Sequence, residues 1–375
     1  MDLAIVIAAY NRRGGLERVA VEYARGLRDR EHTVTVYAQS VARESLDEGI
    51  TFVRVGGFRR WMALRAATFP IKATHALDGS HHDAILSFGS AVRRPAVVRM
   101  PGAHRSWWEF ANEAWPATTV DGLRRRLNPF HRITLAWDKR VLGRGMPKAV
   151  LAAGAWAAED IERFYPAVRG RVRALADGVN MEEFSFDEAG RARLRARWGD
   201  RPILFTLATE LRRKGLGTML EAFRRVLDEM PGALLVVGGK VPAEDVRALA
   251  TQHRVLGSVR SVGFVPDDEL RAAYSAADAL LFPTLFDPWG LPVIEALACG
   301  TPVAVSARAG AAGSVRDGET GTVIAEPRDA VQVAAAAARA LRLGPDRDAV
   351  RASIEHLAWP TIVAELERIL IETTG

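Results

Sequence analysis

The chain has 375 residues, 49% of them hydrophobic and 26% charged, a length beyond which a single core stops growing, so two domains of ordinary size are expected. No apolar run approaches the roughly 18 residues of a membrane span, and the single cysteine, Cys299, excludes an intrachain disulfide and a cysteine metal cluster. The net charge of +6 divides into about +10 through Asn180 and about −4 beyond it.

The start, MDLAIVIAAY, carries Asp2 in place of a basic leader and reads as a buried first strand rather than a signal peptide, so a cytoplasmic protein is expected. That strand, Ala4 to Ala9, feeds the loop Asn11 to Gly15. A helix follows, with Leu16, Val19, Ala20, Tyr23, Ala24 and Leu27 at helical spacing. Gly14 and Gly15 lie where a strand end meets a helix start, the ligand edge of an open α/β sheet. Close approach to a ligand and plain turn chemistry both account for the pair. Thr33 to Tyr37, Ile85 to Ser87 and Ala96 to Arg99 are the next strands, and His104 follows the last of them. It is the candidate catalytic histidine, with a surface loop histidine as the competing reading.

The segment Trp107 to Arg144 reads as irregular, aromatic and basic. Phe58-Arg59-Arg60-Trp61, Trp107-Trp108 and Arg124-Arg125-Arg126 place cations beside aromatic rings. Such clusters suit an anionic membrane surface and equally a solvated Arg-rich face. No zinc-finger spacing, RNP-like run or dominant basic helix is present, so nucleic acid is not an expected partner. Ala149 to Ala153 closes the first half, and the boundary is expected near Phe184 to Gly199.

The second half restarts with strand Ile203 to Leu207 and runs into Thr209-Glu210-Leu211-Arg212-Arg213-Lys214-Gly215. Arg213 and Lys214, at a strand end, are well placed to neutralise a diphosphate, each charge-assisted hydrogen bond contributing roughly 1.5–3 kcal/mol. Ala233 to Val237, Val259 to Gly263 and Ala279 to Phe282 are further strands, and Pro266 to Leu270 is a capped helix start. The stretch FDPWGLPVIEALACGTPVAVS, Phe286 to Ser306, then joins a turn-rich loop, a short helix from Leu291 and a strand from Val303. The N–H groups of Gly290, Leu291 and Val293 and the positive end of the helix suit a phosphate. Asp287 and Glu295, eight positions apart, suit sugar hydroxyls. Asp346-Arg347-Asp348 matches a metal-binding Asp-x-Asp in letters, but it opens an amphipathic helix and capping explains it. No metal and no cofactor are expected, and two helices close the chain.

Asp287, Gly290-Leu291-Pro292, Glu295 and Gly300-Thr301-Pro302-Val303 resemble the acidic-pair motif of family-4 retaining glycosyltransferases, although the first acid there is usually Glu. Residues 14 to 38 and the pair Arg213-Lys214 are similar to the lipopolysaccharide-core glucosyltransferase branch. The resemblance implies a GT-B α/β fold, two Rossmann-like domains facing across a cleft. It implies an acceptor-side domain 1–188, a donor-side domain 189–357 and a helix 358–375 returning to the first. It implies hexosyl transfer with retention from a nucleotide-diphosphate sugar, of UDP-glucose type, to a glycan, glycolipid or small-molecule acceptor. His104, Asp287 and Lys214 would be catalytic, and Gly14, Gly15, Arg213, Lys214, Val265, Gly290, Leu291, Val293 and Glu295 would bind the donor. A nucleotide-sugar epimerase and a non-catalytic binding protein are the alternatives. Peripheral contact at the inner membrane face is a further expectation.

Overall fold

The computed structural model describes every residue except Arg13, Arg59, Pro345 and Gly375, so Arg59 of the basic-aromatic cluster and Arg13 of the Asn11 to Gly15 loop lie outside the description. The chain divides into two compact units, Met1–Gly178 with Trp359–Gly375, and Val179–Ala358.

The first unit holds β1 (Asp2–Val6), β2 (Ala9–Tyr10), α1 (Gly15–Asp29), β3 (Thr33–Ala38), β4 (Ser40–Val41), β5 (Ile50–Arg54) and α2 (Met62–Ala76). It continues through β6 (Ala84–Phe88), β7 (Val97–Arg99), α3 (His104–Ala114), α4 (Val120–Leu127), α5 (Pro129–Val141), β8 (Ala149–Ala152), α6 (Ala155–Phe164) and β9 (Val172–Ala174). Its main sheet is parallel in the order β5-β3-β1-β6-β7-β8-β9. The direction of winding reverses between β1 and β6, and in such sheets ligands bind outside the strand ends at the reversal. The C-terminal helix, Trp359–Thr374, packs on α1: Tyr23 and Trp359 meet edge to face at 5.9 Å, and His32 Nε2 lies 2.7 Å from Glu367.

Trp107 to Arg144 is not irregular. It forms α3, α4 and α5, because Thr119 accepts from Gly122 N at 3.1 Å to cap α4, and Asn128 accepts from Phe130 N at 3.0 Å to cap α5 behind Pro129.

The second unit holds α7 (Glu188–Trp198), β10 (Ile203–Leu207), α8 (Leu216–Glu229), β11 (Leu234–Gly238), α9 (Ala243–Gln252), β12 (Val259–Gly263) and α10 (Asp267–Ala276). Then come β13 (Ala279–Phe282), α11 (Leu291–Ala298), β14 (Val303–Ser306), β15 (Gly321–Ile324), α12 (Ala330–Arg342) and α13 (Arg347–Ala352). With the C-terminal helix, three helices rather than two close the chain. Asp346 caps α13 by accepting from Ala349 N at 3.1 Å. The parallel sheet runs β12-β11-β10-β13-β14-β15, with Phe205 opposite Val236 and Leu280. Helices cover both faces, so the central strands read as continuous apolar runs, and the core between β10, α8 and α12 buries Leu204, Phe223, Leu281 and Val333. Residues 179–184 belong to this unit: Phe184 is buried against Tyr274, and Arg351 donates to the carbonyls of Met181 and Phe184.

Candidate functional site

In the second unit the winding reverses between β10 and β13, which places the loops after these strands side by side at the ligand edge. The β10 loop carries Arg213 and Lys214, and the β13 loop carries Asp287. The loops are tied together, since Leu285 N and Thr284 Oγ1 both donate to the Arg213 carbonyl, at 2.8 and 3.1 Å. Gly215 ends the first loop with φ +68°, and a Cβ there would stand 2.4 Å from the Pro283 carbonyl oxygen, so only glycine lets the two backbones meet.

The contact draws a charged cluster together. Lys214 Nζ donates to Asp287 Oδ2 at 2.6 Å and lies 4.2 Å from the centre of the Phe282 ring. Arg213 Nη1 stands 3.5 Å from the same carboxylate oxygen and donates to the Phe286 carbonyl at 3.2 Å. Asp287 Oδ1 accepts from Trp289 N at 3.3 Å. Lys214 is 7% exposed. Burial pulls its ammonium below the ordinary lysine value, with Asp287 opposing the shift. Burial alone would raise Asp287, but Lys214, Arg213 and the Trp289 N–H outweigh it and hold the carboxyl below the usual range. Nζ and Oδ2 are in ion-pair contact.

Behind the cluster, Gly290 (φ +102°, left-handed) opens α11. Leu291 supplies an N–H at the helix start, whereas Val293 does not: its N–H donates to the Gly290 carbonyl at 2.9 Å. Glu295 is buried, and Tyr274 donates to its Oε2 at 2.8 Å, a partner that the sequence reading missed. Val265 is half-buried beside Gly238, and its neighbour Phe264 is 63% exposed with Lys240 Nζ at 5.7 Å from the ring centre.

In the first unit, Gly14 is the N-cap of α1 and Gly15 its exposed first residue. The Glu17 carboxylate folds over this start, since a Cβ on Gly14 would stand 2.1 Å from Glu17 Oε2. His104 is the first residue of α3, beyond β7, and its Nε2 lies 3.2 Å from His131 Nδ1 of α5. Burial and the neighbouring His131 push it down to about 4, so the ring is neutral at neutral pH. Two buried carboxylates of this unit have partners that the sequence does not announce. Asp177 pairs with the fully buried Arg99, and Asp138 accepts from Ser90 Oγ at 2.7 Å.

A parallel sheet wound in both directions, with a cationic pair and a helix start at the reversal, defines a doubly wound α/β protein, and comparison with known proteins gives its class. The family model "Glycosyltransferase Family 4" matches residues 13–183 and "Glycosyl transferases group 1" matches residues 192–356. The chain belongs to the GT-B glycosyltransferases of family 4. It is 29% identical, over 96% of its length and 95% of the relative's, to the GDP-mannose-dependent alpha-(1-6)-phosphatidylinositol monomannoside mannosyltransferase of Mycobacterium tuberculosis. It is 26% identical, over 92% of its length and 81% of the relative's, to the D-inositol 3-phosphate glycosyltransferase of Acidothermus cellulolyticus. Among solved structures it resembles WaaG, a glycosyltransferase involved in lipopolysaccharide biosynthesis, with a TM-score of 0.77, 22% identity and 98% and 99% of the two chains covered, a likeness that carries the fold.

Proposed function

We propose that this glycosyltransferase moves a hexose, with retention at the anomeric carbon and without a metal, from a nucleotide-diphosphate sugar to a hydroxyl of a glycan, glycolipid or small-molecule acceptor. The observation that carries the reading is the Arg213–Lys214–Asp287 cluster beside the start of α11. Negative charge accumulates on the leaving diphosphate, and fixed cations where charge develops are the most effective catalysts. Arg213 and Lys214 supply the charge that a bound cation would otherwise give. Asp287 sets the height of the lysine ammonium and offers its remaining oxygen to the donor sugar, while Glu295, oriented by Tyr274, anchors the ribose. His104 orients the acceptor hydroxyl, whose proton leaves on the departing phosphate in a front-face attack.

Both long-range relatives are named for inositol-derived acceptors, which makes an inositol phosphate or phosphatidylinositol the acceptor class to try first. Contact with an anionic membrane is part of the proposal. In α4 the apolar residues Val120 (66% exposed), Leu123 (51%) and Leu127 (72%) form one stripe flanked by the exposed Arg124 and Arg126, the pattern of an interfacial helix. Flotation with vesicles containing one-third phosphatidylglycerol, lost in Leu123→Glu/Leu127→Glu, supports it; equal recovery with neutral vesicles overturns it.

The test of the central reading is thermal stabilisation of wild type and Glu295→Ala by UDP, GDP, ADP and TDP. A diphosphate at about a hundred times its Kd adds roughly 2.7 kcal/mol. One diphosphate should stabilise the wild type alone, and its hexose conjugate should then turn over on inositol acceptors in the presence of EDTA. No stabilisation by any of the four would overturn the proposal.

A further inference from the structure

His131 of α5 has no role in the reading above, yet it lies in direct contact with His104. The two imidazoles are near parallel, 13° apart with centres 5.3 Å apart, and the indole of Trp107 lies near parallel to both, at 5.4 Å from His104 and 4.8 Å from His131. Phe130 closes the edges of both rings at 6.0 and 5.3 Å. His104 and His131 stand on different helices, α3 and α5, so the approach of Nε2 to Nδ1 at 3.2 Å is set by how these helices pack.

We infer that His131 is a positioning residue that holds His104 in a single ring orientation and a single tautomer. The inference rests on the acceptor-side role proposed for His104. A hydrogen bond between two ring nitrogens needs one N–H and one lone pair, so the pair shares one proton at that contact. The partner of one nitrogen dictates whether the other is a donor or an acceptor. With Nε2 of His104 engaged, Nδ1 is the atom left to meet a hydroxyl, and its polarity is set by which ring holds the shared proton. The two rings cannot both become cationic cheaply at this distance. The other charged groups near the pair are cationic or already paired: Arg125 of α4 faces His131 and lies over the Trp108 ring at 5.0 Å, and Arg105 of α3 binds Glu109 at 3.2 Å. Burial and Arg125 push His131 below its ordinary range, as burial and His131 do for His104.

The test compares His131→Leu, His131→Asn and His104→Ala with wild type. In Asn the amide atoms occupy the place of the imidazole Nδ1, so the hydrogen bond survives; in Leu it does not. Ring nitrogen NMR of His104 reads the tautomer directly, and release of UDP from UDP-glucose or GDP from GDP-mannose reads turnover. Wild type should show one His104 tautomer from pH 5 to 8. His131→Leu should show a mixture, with kcat about 10-fold lower, KM for the donor unchanged, and an acid limb raised above about 4 only by the part of the shift that His131 causes, since burial remains. His131→Asn should restore the single tautomer and most of kcat.

A wild-type ring split between tautomers overturns the inference without any variant, which covers the case in which His131→Leu fails to fold. A folded His131→Leu with an unchanged tautomer and acid limb overturns it as well. If His104→Ala keeps near-normal turnover, the role of His104 itself falls, and that failure is separate from the NMR result.

Discussion

Removing either half of the Lys214–Asp287 pair should damage the second unit, and removing both should repair it. At 2.6 Å and an effective dielectric of about 20, the two charges attract by about 6 kcal/mol, most of which offsets the cost of taking them out of water. With Lys214 at 7% exposure, Lys214→Met leaves the half-buried Asp287 with Arg213 at 3.5 Å and the Trp289 N–H to answer its charge, and stranded partners of this kind cost up to about 3–5 kcal/mol. Asp287→Leu leaves an ammonium over the Phe282 ring and should cost a similar amount, less what Glu210 and the ring return. Lys214→Met/Asp287→Leu removes both charges of the pair and leaves Arg213 with Glu210 at 3.2 Å. It should lie within about 1–2 kcal/mol of wild type, giving a coupling of about 3 kcal/mol or more in a double-mutant cycle. Because a chain of two units need not unfold in one step, the cycle is read from the transition of the second unit, followed by urea with and without the stabilising nucleotide. Turnover should be lost in all three variants. Additive losses, with the double variant as unstable as the two singles summed, would refute the reasoning, and so would a double variant that keeps turnover.

The C-terminal helix supplies a second test. A Cβ on Gly26 would stand 2.5 Å from Val363 Cγ2, so Gly26→Ala should lower the melting temperature of the first unit despite alanine's better helix propensity, by about 1–3 kcal/mol of overpacking. Val363→Ala in the same chain should recover most of the loss; a Gly26→Ala protein as stable as wild type would show that this helix does not press on α1 as described.

What could be read from the chain depended on whether a neighbour's identity is written locally. Strands β10, β13 and β14 begin and end where near-continuous apolar runs do, because helices cover them on both faces. The first unit was harder. The apolar residues of α4 point to solvent, so the periodic signal gives no buried face to recognise, and α2 carries Pro70 inside it. Arg213, Lys214 and Asp287 stood out because each follows a legible strand, and parallel strands bring their following loops to one edge. Tyr274 and His131 did not, since they meet Glu295 and His104 across 21 and 27 residues, and nothing in either spacing announces the contact. The burial of Glu295 and the use of the Val293 N–H inside its own turn are likewise properties of packing.

The first unit is assembled from residues on both sides of the second: Met1–Gly178 and Trp359–Gly375 make one compact body, with Val179–Ala358 inserted between them. The insertion is pinched shut at its base, where Val179 N donates to the Leu357 carbonyl at 2.9 Å and Val179 bridges Ala358. On the ribosome the second unit therefore has all its residues before the first does. Until the last helix emerges, the α1 surface that receives it, with Tyr23 and Gly26, is left uncovered. A nascent chain arrested before Trp359 should expose that surface to chaperones, and the same pinched base marks residues 179–358 as the segment to excise and express alone.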